Sequence, residues 1–357
     1  MPHYYIGLMT GTSLDGIDAA LIRADARRYT YLAHSGQPMP PALRAALYAL
    51  YQPGDNELHR AAVAAWEHAA ASAAAVTALL RETGLDASAI TAIGAHGQTL
   101  RHAPNHNPPY TIQLQNPARL AELTGIDTIA DFRSRDIASG GQGAPLAPLF
   151  QRGLLNLDSG VIINIGGIAN ISLLTPETGS GYDTGPGNGL MDTWIQEIRG
   201  LPYDADGAWA RSGNLLPDLL SRFLADPYFH RPPPKSSGRD HFHLDWLHRH
   251  LLGIEAAADV QRTLLELTAH SISEAIPAQA GDIILAGGGA KNRFLVERIN
   301  AHLATRGQHT SPCPIPTQAL EAAGFAWLAA QFVQRRPLAL AATTGGQPRI
   351  LGALYPA

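Results

Sequence analysis

Residues 4–23 read YYIGLMTGTSLDGIDAALIR. Apolar residues at 4–6 and 17–22 predict two short strands, and the small, hydroxylated and acidic residues between them predict a tight turn that joins the strands into a hairpin. Such a turn offers backbone N–H groups and hydroxyls to an anion, and carboxylates to a cation. We therefore expect it to bind phosphate with Mg²⁺ through Gly11, Thr12, Ser13, Asp15 and Asp18. An ordinary glycine-rich hairpin is the alternative, because Gly-Thr-Ser and Asp-Gly are also common in turns.

Length and composition narrow the class of protein. A chain of 357 residues is longer than one hydrophobic core usually supports, which predicts two lobes with a cleft. The net charge of −4 and the absence of a long basic run argue against a nucleic-acid partner. Cys313 is the only cysteine, which excludes an intrachain disulfide and a cysteine zinc site. No secretory signal or uncharged membrane-length run is visible, so we expect a soluble cytoplasmic protein without a membrane partner.

Two further glycine-rich turns follow. Residues 161–174, VIINIGGIANISLL, predict a second strand-turn-strand unit with Gly166 and Gly167 in its turn and Asn170 within reach of it. Residues 282–285 predict a buried strand that leads into AGGGAKN and then a helix. Consecutive glycines between a strand and a helix let a flat ring or a phosphate lie against bare backbone. The spacing of the glycines is neither that of the Rossmann fingerprint nor that of the Walker motif. A nucleotide would therefore be bound by a different motif.

Asp183 is the candidate general base. It lies in GYDTGPGN, residues 181–188, which we predict to be a loop because the segment is too rich in glycine and proline for a helix or strand. A carboxylate presented rigidly among small residues has the reach and aim that a general base needs. The alternative is an Asx-turn that only organises the local backbone. The later segment 202–239 predicts a surface crossing or lid, in which Lys235 and Arg239 are candidate anion contacts.

Five polar residues are candidates for substrate binding. His96 and Gln98 follow a predicted strand at 90–95, and open α/β sheets place ligand-binding groups at the carboxyl ends of strands. Arg133 and Arg135 follow a predicted strand at 128–132, and a guanidinium can pair both oxygens of one carboxylate or phosphate. His96 could instead hydrogen-bond a neighbouring loop, and the arginines could form ion pairs with the nearby Asp131 and Asp136. Glu321 lies near the start of the last predicted long helix, 318–334.

The motifs together resemble a known superfamily and one family within it. Two strand-turn-strand units and a late strand-GGG-helix form the plan of the actin, hexokinase and Hsp70 superfamily of ATPases. Within that superfamily the chain resembles the anhydro-N-acetylmuramic acid kinase family over residues 4–355. The resemblance rests on IGLMTGTSLDGIDAAL, INIGGIANIS, GYDTGPGNGLMD, PPPKSSGRDHF, LAGGGAKN and EAAGFAWLA, in this order.

The resemblance implies an α/β protein with two lobes, each a mixed sheet flanked by helices, and ATP in the interlobe cleft. It implies an N-terminal lobe over 1–157, a C-terminal lobe over 158–317, and a C-terminal helix and strand over 318–357 that pack back on the first lobe. It also implies an enzyme that uses ATP and Mg²⁺ to open the anhydro bridge of 1,6-anhydro-N-acetylmuramic acid with water while it phosphorylates O6. Such enzymes recover cell-wall sugar in bacteria and are generally homodimers.

The same resemblance assigns roles to the candidate residues. Asp183 is the expected catalytic base, and Arg133 is the candidate for the lactyl carboxylate of the sugar, with His96, Gln98 and Glu321 near it. Asp15 and Asp18 are the candidate metal ligands, directly or through water. The residues expected to bind ATP are Gly11, Thr12, Ser13, Leu14, Asp15, Gly16, Ile17, Asp18, Gly166, Gly167, Asn170, Gly287, Gly288, Gly289 and Asn292.

Two rival functions fit the same fold. An ordinary sugar or carboxylate kinase would use Asp183 to deprotonate a hydroxyl of an already open substrate. A nucleotide-switched binding protein would use ATP to change its conformation and would hydrolyse it slowly whether or not a sugar was present.

Overall fold

A computed structural model describes residues 3–11, 13–26, 28–157, 159–175, 179–233, 235–238 and 241–357. The chain divides into two units, a first unit of Met1–Leu157 with Gln318–Ala357 and a second unit of Asp158–Thr317. The strands are β1 His3–Met9, β2 Gly16–Asp25, β3 Arg28–Pro38, β4 Ile90–Ala95, β5 Gln98–Ala103, β6 Tyr110–Leu114, β7 Thr128–Ala130, β8 Gly160–Ile165, β9 Ile168–Leu174, β10 Gly179–Pro186, β11 Asp282–Ala286, β12 Ser311–Pro312 and β13 Ala353–Tyr355. The helices are α1 Pro41–Ala49, α2 Glu57–Thr83, α3 Pro117–Thr124, α4 Ser134–Ala138, α5 Ala147–Leu154, α6 Gly189–Arg199, α7 Ala208–Ser212, α8 Pro217–Leu224, α9 Pro227–His230, α10 Leu244–His250, α11 Ala257–Ala275, α12 Arg293–Ala304 and α13 Thr317–Val333.

The first unit is built on a six-stranded mixed sheet in the order β13-β7-β4-β1-β2-β3. The predicted hairpin is confirmed, because β1 and β2 pair antiparallel from His3 with Ala24 to Met9 with Asp18. β4 runs parallel to β1, so its carboxyl end lies at the same edge as the carboxyl end of β1. The sheet therefore brings the first turn and the residues after β4 to one edge.

The helix α13 lies very close to this sheet. Gly7 in β1 and Gly94 in β4 have no side chain to hold the helix away, and a Cβ on either would collide with the carbonyl oxygen of Ala322 or Phe325. The helix is apolar around nearly its whole circumference and is buried along most of its length. A helix that is hydrophobic on all sides is typical of a core position.

The helix α2 covers another part of the first unit. Alanine favours helix, and Gly84 ends α2 in the left-handed conformation with φ of 68°. Among the residues that the structure describes, α2 is the one helix long and apolar enough to cross a membrane. More than half of its most apolar window, 56%, is buried inside the protein, and the core helix of a soluble protein has the same composition.

The second unit is built on a five-stranded mixed sheet in the order β10-β9-β8-β11-β12. The predicted hairpin β8–β9 is confirmed, and β11 runs parallel to β8. Its core is rich in large aromatic side chains from the covering helices, among them Trp194, Trp209, Phe223 and Trp246. The two mixed sheets flanked by helices confirm the predicted α/β class.

The sequence-based prediction was wrong about several local structures. Residues 181–188 were predicted to be a loop, but residues through Pro186 form β10. Glycine and proline are tolerated there because β10 is an edge strand, with Pro186 at its end and a bulge between Asp183 and Gly185. The polar, proline-rich residues 101–109 are typical of a loop, yet β5 extends to Ala103 and pairs with β6. The prediction also missed the short elements α4, α7, α9, α10 and β12.

Candidate active site

Asp183 is held at three points by its surroundings in the second unit. Its backbone N–H donates to the Lys235 carbonyl at 3.1 Å, and its own carbonyl accepts from the Tyr228 hydroxyl at 2.7 Å. Its carboxylate Oδ2 accepts from the backbone N–H of Ser237 at 2.9 Å. Within the part of the chain that the structure describes, Oδ1 receives no hydrogen bond. Ser237 thus fixes one oxygen of Asp183, and no described residue blocks the other from taking a proton.

The environment of Asp183 suits a base. Partial burial raises the pKa of its carboxyl, and the hydrogen bond from Ser237 opposes that rise. A raised pKa makes a carboxylate a better proton acceptor. The predicted alternative, an Asx-turn made by the Asp183 side chain, is wrong, because the carboxylate bonds to Ser237 far along the chain.

Two asparagines lie on the same face of the sheet as Asp183. Asn170 in β9 is directly opposite Asp183 in β10, and Asn164 in β8 is directly opposite Asn170. Side chains of directly opposed residues in antiparallel strands are neighbours. Asn170 was predicted to serve the phosphate turn, and Asn164 was not predicted as a site residue. A polar residue in the otherwise apolar run VIINI was the signal for it.

The second glycine turn is locked to the segment after β10. The Gly166 carbonyl accepts from the Asn188 N–H at 2.7 Å, and the Gly167 carbonyl accepts from the N–H groups of Gly187 and Gly189 at 3.0 Å each. A Cβ on Gly187 would overlap the Gly166 carbonyl. Gly187 and Gly189 are glycines because their backbone touches that of the second turn.

The third glycine stretch joins the same cluster. Gly287 has φ of 90°, a conformation that side chains disfavour, and a Cβ there or on Gly289 would overlap Ile165. Asn188 lies against Gly289 as well. The structure thus brings together the predicted residues Gly166, Gly167, Gly287 and Gly289, which are far apart in sequence.

A cavity of about 350 Å³ lies beside this glycine cluster. Asn292 lines it, but its side-chain oxygen accepts from Leu295 N at 3.0 Å and so caps α12. Most of the other lining residues were not predicted, because they come from separate segments, 188–192, 203–206 and 291, which no local sequence pattern connects. The lining residues are Asn188, Met191, Asp192, Tyr203, Asp204, Asp206, Gly288, Gly289, Lys291 and Asn292.

The first turn, Gly11–Asp18 in the first unit, differs in backbone arrangement from the two glycine stretches of the second unit. Leu14 N donates to the Gly11 carbonyl at 3.2 Å, and Leu14 has φ of 56°. The side chains of Leu14 and Ile17 are buried in the core, so only their backbones can meet a ligand. Gly16 packs against the carbonyl of Gln37. Thr12, like Arg239, lies outside the described residues, and Ser13 is exposed.

Asp15 and Asp18 provide a sparse set of ligands for a metal. The Asp15 side chain is 76% exposed, whereas Oδ1 of Asp18 contacts His34 Nε2 at 2.8 Å. In the described segments no group of three or more His, Cys, Asp or Glu residues is placed to hold a metal ion. Mg²⁺ in kinases needs only one or two carboxylates, since phosphates and water complete its shell. The two accessible carboxylates fit that kind of site.

The predicted substrate residues form one cluster, without Gln98. His96 is buried, and its Nε2 accepts from Arg133 at 3.0 and 3.2 Å. Burial and the charge of Arg133 lower the pKa of His96 to about 3, so the ring is neutral. Burial raises the pKa of Glu321, while the nearby Arg133 lowers it. Gln98 is fully buried and donates to the Tyr51 hydroxyl at 2.9 Å.

The suggested ion pairs of the two arginines are not formed in the described structure. Arg133 also donates to the Gly143 carbonyl at 2.8 Å, and Arg135 is exposed. Asp136 is fully buried and accepts from Gly143 N and Thr344 Oγ1. Asp136 therefore fixes the loop on which Arg133 rests.

Comparison with known proteins covers nearly the whole chain. Residues 3–357 match the family model described as anhydro-N-acetylmuramic acid kinase. A protein of that name from Cupriavidus pinatubonensis is 49% identical over 99% of this chain and 98% of its own length. Proteins of that name from Nitrosomonas europaea and Pseudomonas paraeruginosa are each 48% identical to this chain. The two matches cover 99% and 100% of this chain, respectively, and the full length of each relative. The chain therefore belongs to the anhydro-N-acetylmuramic acid kinase family.

Proposed function

We propose that the protein uses ATP and water to convert 1,6-anhydro-N-acetylmuramic acid into N-acetylmuramate 6-phosphate and ADP, in the recycling of murein. The observation that carries the proposal is Asp183, whose carboxylate is fixed by Ser237 on one oxygen and receives no hydrogen bond from a described residue on the other. Family membership supplies the substrate class.

The chemistry follows from the absence of a proton on O6 of an anhydro sugar. Asp183 takes a proton from water as the water oxygen bonds to C1 of the sugar. The bond between C1 and O6 breaks, and its electron pair stays on O6. O6 bonds to the γ-phosphorus of ATP as the bond from that phosphorus to ADP breaks. Asp183 thus acts like the base of an inverting glycosidase, and the phosphoryl group takes the place of the acid.

We propose distinct roles for the glycine turns in binding ATP. The first turn, Gly11–Asp18, and the second, Gly166–Asn170, would hold phosphates through backbone N–H groups. The cavity beside Gly288 and Gly289 would hold the adenosine, which its volume of about 350 Å³ and bare glycine backbone favour. Asp15 and Asp18 would hold Mg²⁺ directly or through water. When bound, Mg²⁺ would offset the negative charge of the phosphates.

We propose that Arg133 binds the lactyl carboxylate of the sugar. Its contacts with His96 and Gly143 use three of the five N–H groups of a guanidinium, and they fix its plane. The remaining N–H groups suit a carboxylate. His96, neutral and behind the guanidinium, would set its orientation. Glu321 would contact the sugar. Gln98, which is hydrogen-bonded to Tyr51, would support the site without contacting the sugar.

Arg133→Leu is expected to weaken binding of the muramic sugar by about 10- to 100-fold, since a charge-assisted hydrogen bond contributes about 1.5–3 kcal/mol. Binding of an anhydro-glucosamine analogue that lacks the lactyl group should change much less. Calorimetric titration of both sugars measures the difference. The exposed Arg135→Leu is the matched control. Equal losses for both sugars would assign Arg133 to the scaffold.

The source of the oxygen on C1 tests the reaction itself. Turnover in ¹⁸O-labelled water is expected to place label on C1 and none in the phosphoryl group, because Asp183 activates water at C1. Mass spectrometry of fresh product gives the position of the label, and an early NMR spectrum gives the anomer before it equilibrates. Label in the phosphate would identify an ATPase. An unlabelled C1 would identify an ordinary kinase.

We further infer that the enzyme is a cytoplasmic homodimer, as the family resemblance implies. Sedimentation analysis of the purified chain tests the oligomeric state.

A further inference from the structure

The short helix α9 is anchored at its amino end and touches the backbone of Asp183. Asp226 Oδ1 accepts from Tyr228 N at 2.9 Å, which caps the helix. Asp226 Oδ2 accepts from Trp246 Nε1 at 2.8 Å and contacts His241 Nε2 at 3.1 Å. Tyr228 is buried, and its hydroxyl donates to the Asp183 carbonyl. α9 is therefore a fixed support against which β10 is placed.

Lys235 ties the following segment to this support. Its Nζ donates to the carbonyls of Tyr228 at 3.2 Å and Phe229 at 3.3 Å, and lies 4.8 Å from the centre of the Tyr228 ring. The Lys235 carbonyl accepts from Asp183 N, and two residues later Ser237 N donates to Asp183 Oδ2. The ammonium predicted to contact an anion is thus engaged with backbone oxygens.

We propose that Lys235 and Tyr228 are positioning residues that aim the Asp183 carboxylate, Lys235 by holding the Ser237 N–H in place and Tyr228 by fixing the Asp183 backbone. The inference rests on the proposed role of Asp183 as the base. Three observations support it: the two carbonyl contacts of Lys235, the hydroxyl contact of Tyr228, and the Ser237 N–H as the one donor to the carboxylate among the described residues.

The charged and titratable groups around Asp183 agree with this assignment. Burial and the charge of Asp183 raise the pKa of Tyr228 to about 12, so its hydroxyl stays protonated and donates. Burial and the exposed Arg231 lower the pKa of Lys235. From α11, His270 and Glu274 line a cavity with Lys235 beside Tyr182 and Thr184, the two neighbours of Asp183 in β10. Side chains alternate along a strand, so this cavity is on the face opposite the Asp183 carboxylate.

Lys235→Met keeps most of the side-chain length and removes the ammonium. We expect kcat to fall about tenfold, because small misplacements of a catalytic group are costly, with KM for ATP and for the sugar unchanged. The acid limb of the kcat/KM profile should move to higher pH, because the carboxylate loses the N–H that stabilises its ionised form. Lys235→Arg should restore most of kcat, since a guanidinium can still donate to both carbonyls.

Arg231→Met is the matched control, because it removes a positive charge four residues away from an exposed position. It should leave kcat and the pH profile unchanged. A shift of the profile equal to that of Lys235→Met would mean that charge alone acts, which overturns the positioning role. A raised KM for ATP with unchanged kcat in Lys235→Met would make Lys235 an anion contact and also overturn it.

Tyr228→Phe is a second, charge-neutral variant that removes only the hydroxyl, and it should lower kcat with KM unchanged. Asp183→Asn tests the proposed base independently of the two positioning residues. Substantial activity in Asp183→Asn would defeat the proposed function. Asp183→Asn could be inactive while Lys235→Met and Tyr228→Phe keep the wild-type kcat and pH profile. That result would overturn the positioning role of Lys235 and Tyr228 and leave the proposed function intact.

Discussion

Replacing Asp183 by Asn is expected to lower turnover by about 10²- to 10⁴-fold, the range typical for loss of a general base. The amide is nearly isosteric with the carboxylate, and its oxygen can still accept from Ser237 N. It cannot take a proton from water. Folding and ATP binding should therefore change little. Steady-state kinetics measures the loss, while thermal unfolding and nucleotide titration test whether the rest of the protein is intact.

A second aspartate in the same unit provides the control for Asp183→Asn. Asp245 at the start of α10 has a side chain that is 84% exposed, so Asp245→Asn should have wild-type turnover. The role of Asp183 as base is excluded if Asp183→Asn keeps more than about a tenth of wild-type turnover, because a base contributes at least about a hundredfold.

The largest expected effect on stability belongs to Glu266 in α11. Its carboxylate is almost fully buried and contacts Arg262 at 2.6 Å, Arg298 at 2.9 Å and His302 at 2.7 Å. Glu266→Gln leaves the two arginines without their common counter-charge, and the Arg262 side chain is only 11% exposed. Breaking a buried ion pair on one side costs about 3–5 kcal/mol. We expect denaturant unfolding to show a loss of about 3 kcal/mol.

The same carboxylate predicts how stability depends on pH. Burial raises the pKa of Glu266, but the hydrogen bonds and charges of Arg298 and Arg262 outweigh it and lower the pKa to about 2. A group whose pKa falls on folding stabilises the protein above its unfolded pKa and loses that contribution as the pH falls. The fall from 4.5 to about 2 corresponds to about 3 kcal/mol. That contribution should disappear between about pH 5 and pH 2 and be missing from Glu266→Gln.

Glu297 in α12 gives the matched control for Glu266. It pairs with Arg211 at 2.6 Å, but its side chain is 57% exposed. Exposed ion pairs contribute at most about 1 kcal/mol, so Glu297→Gln should change stability little. Similar losses in both variants would show that burial does not set the contribution of Glu266.

The hairpins and the glycine stretches were predictable because each depends on local chemistry. Apolar arms on either side of glycines predicted β1–β2 and β8–β9, and three glycines between a strand and a helix predicted the turn before α12. The strand β10 was not predictable, because its glycines and proline are acceptable only at a sheet edge, and sequence alone does not reveal which strand lies at an edge.

The sequence predicted the fold more completely than it predicted the contacts of the site residues. Asp183 was identified from its local sequence, but its contacts with Tyr228 and Ser237 join residues 45 and 54 positions apart. The contact between Arg133 and His96 likewise depends on the pairing of strands, and no local pattern encodes it. The roles proposed for these residues and for the ATP turns stay predictions until the variants are measured.

The closeness of α13 to Gly7 and Gly94 has a consequence for synthesis on the ribosome. The second unit is one continuous segment, Asp158–Thr317, whereas the first needs Gln318–Ala357 as well as the amino-terminal residues. All residues of the second unit are therefore made before α13 and β13 exist. Until the last segment emerges, the nascent first unit lacks the helix that covers β1 and β4 and the strand that pairs with β7. A premature stop codon near residue 318 would thus damage the unit that is translated first.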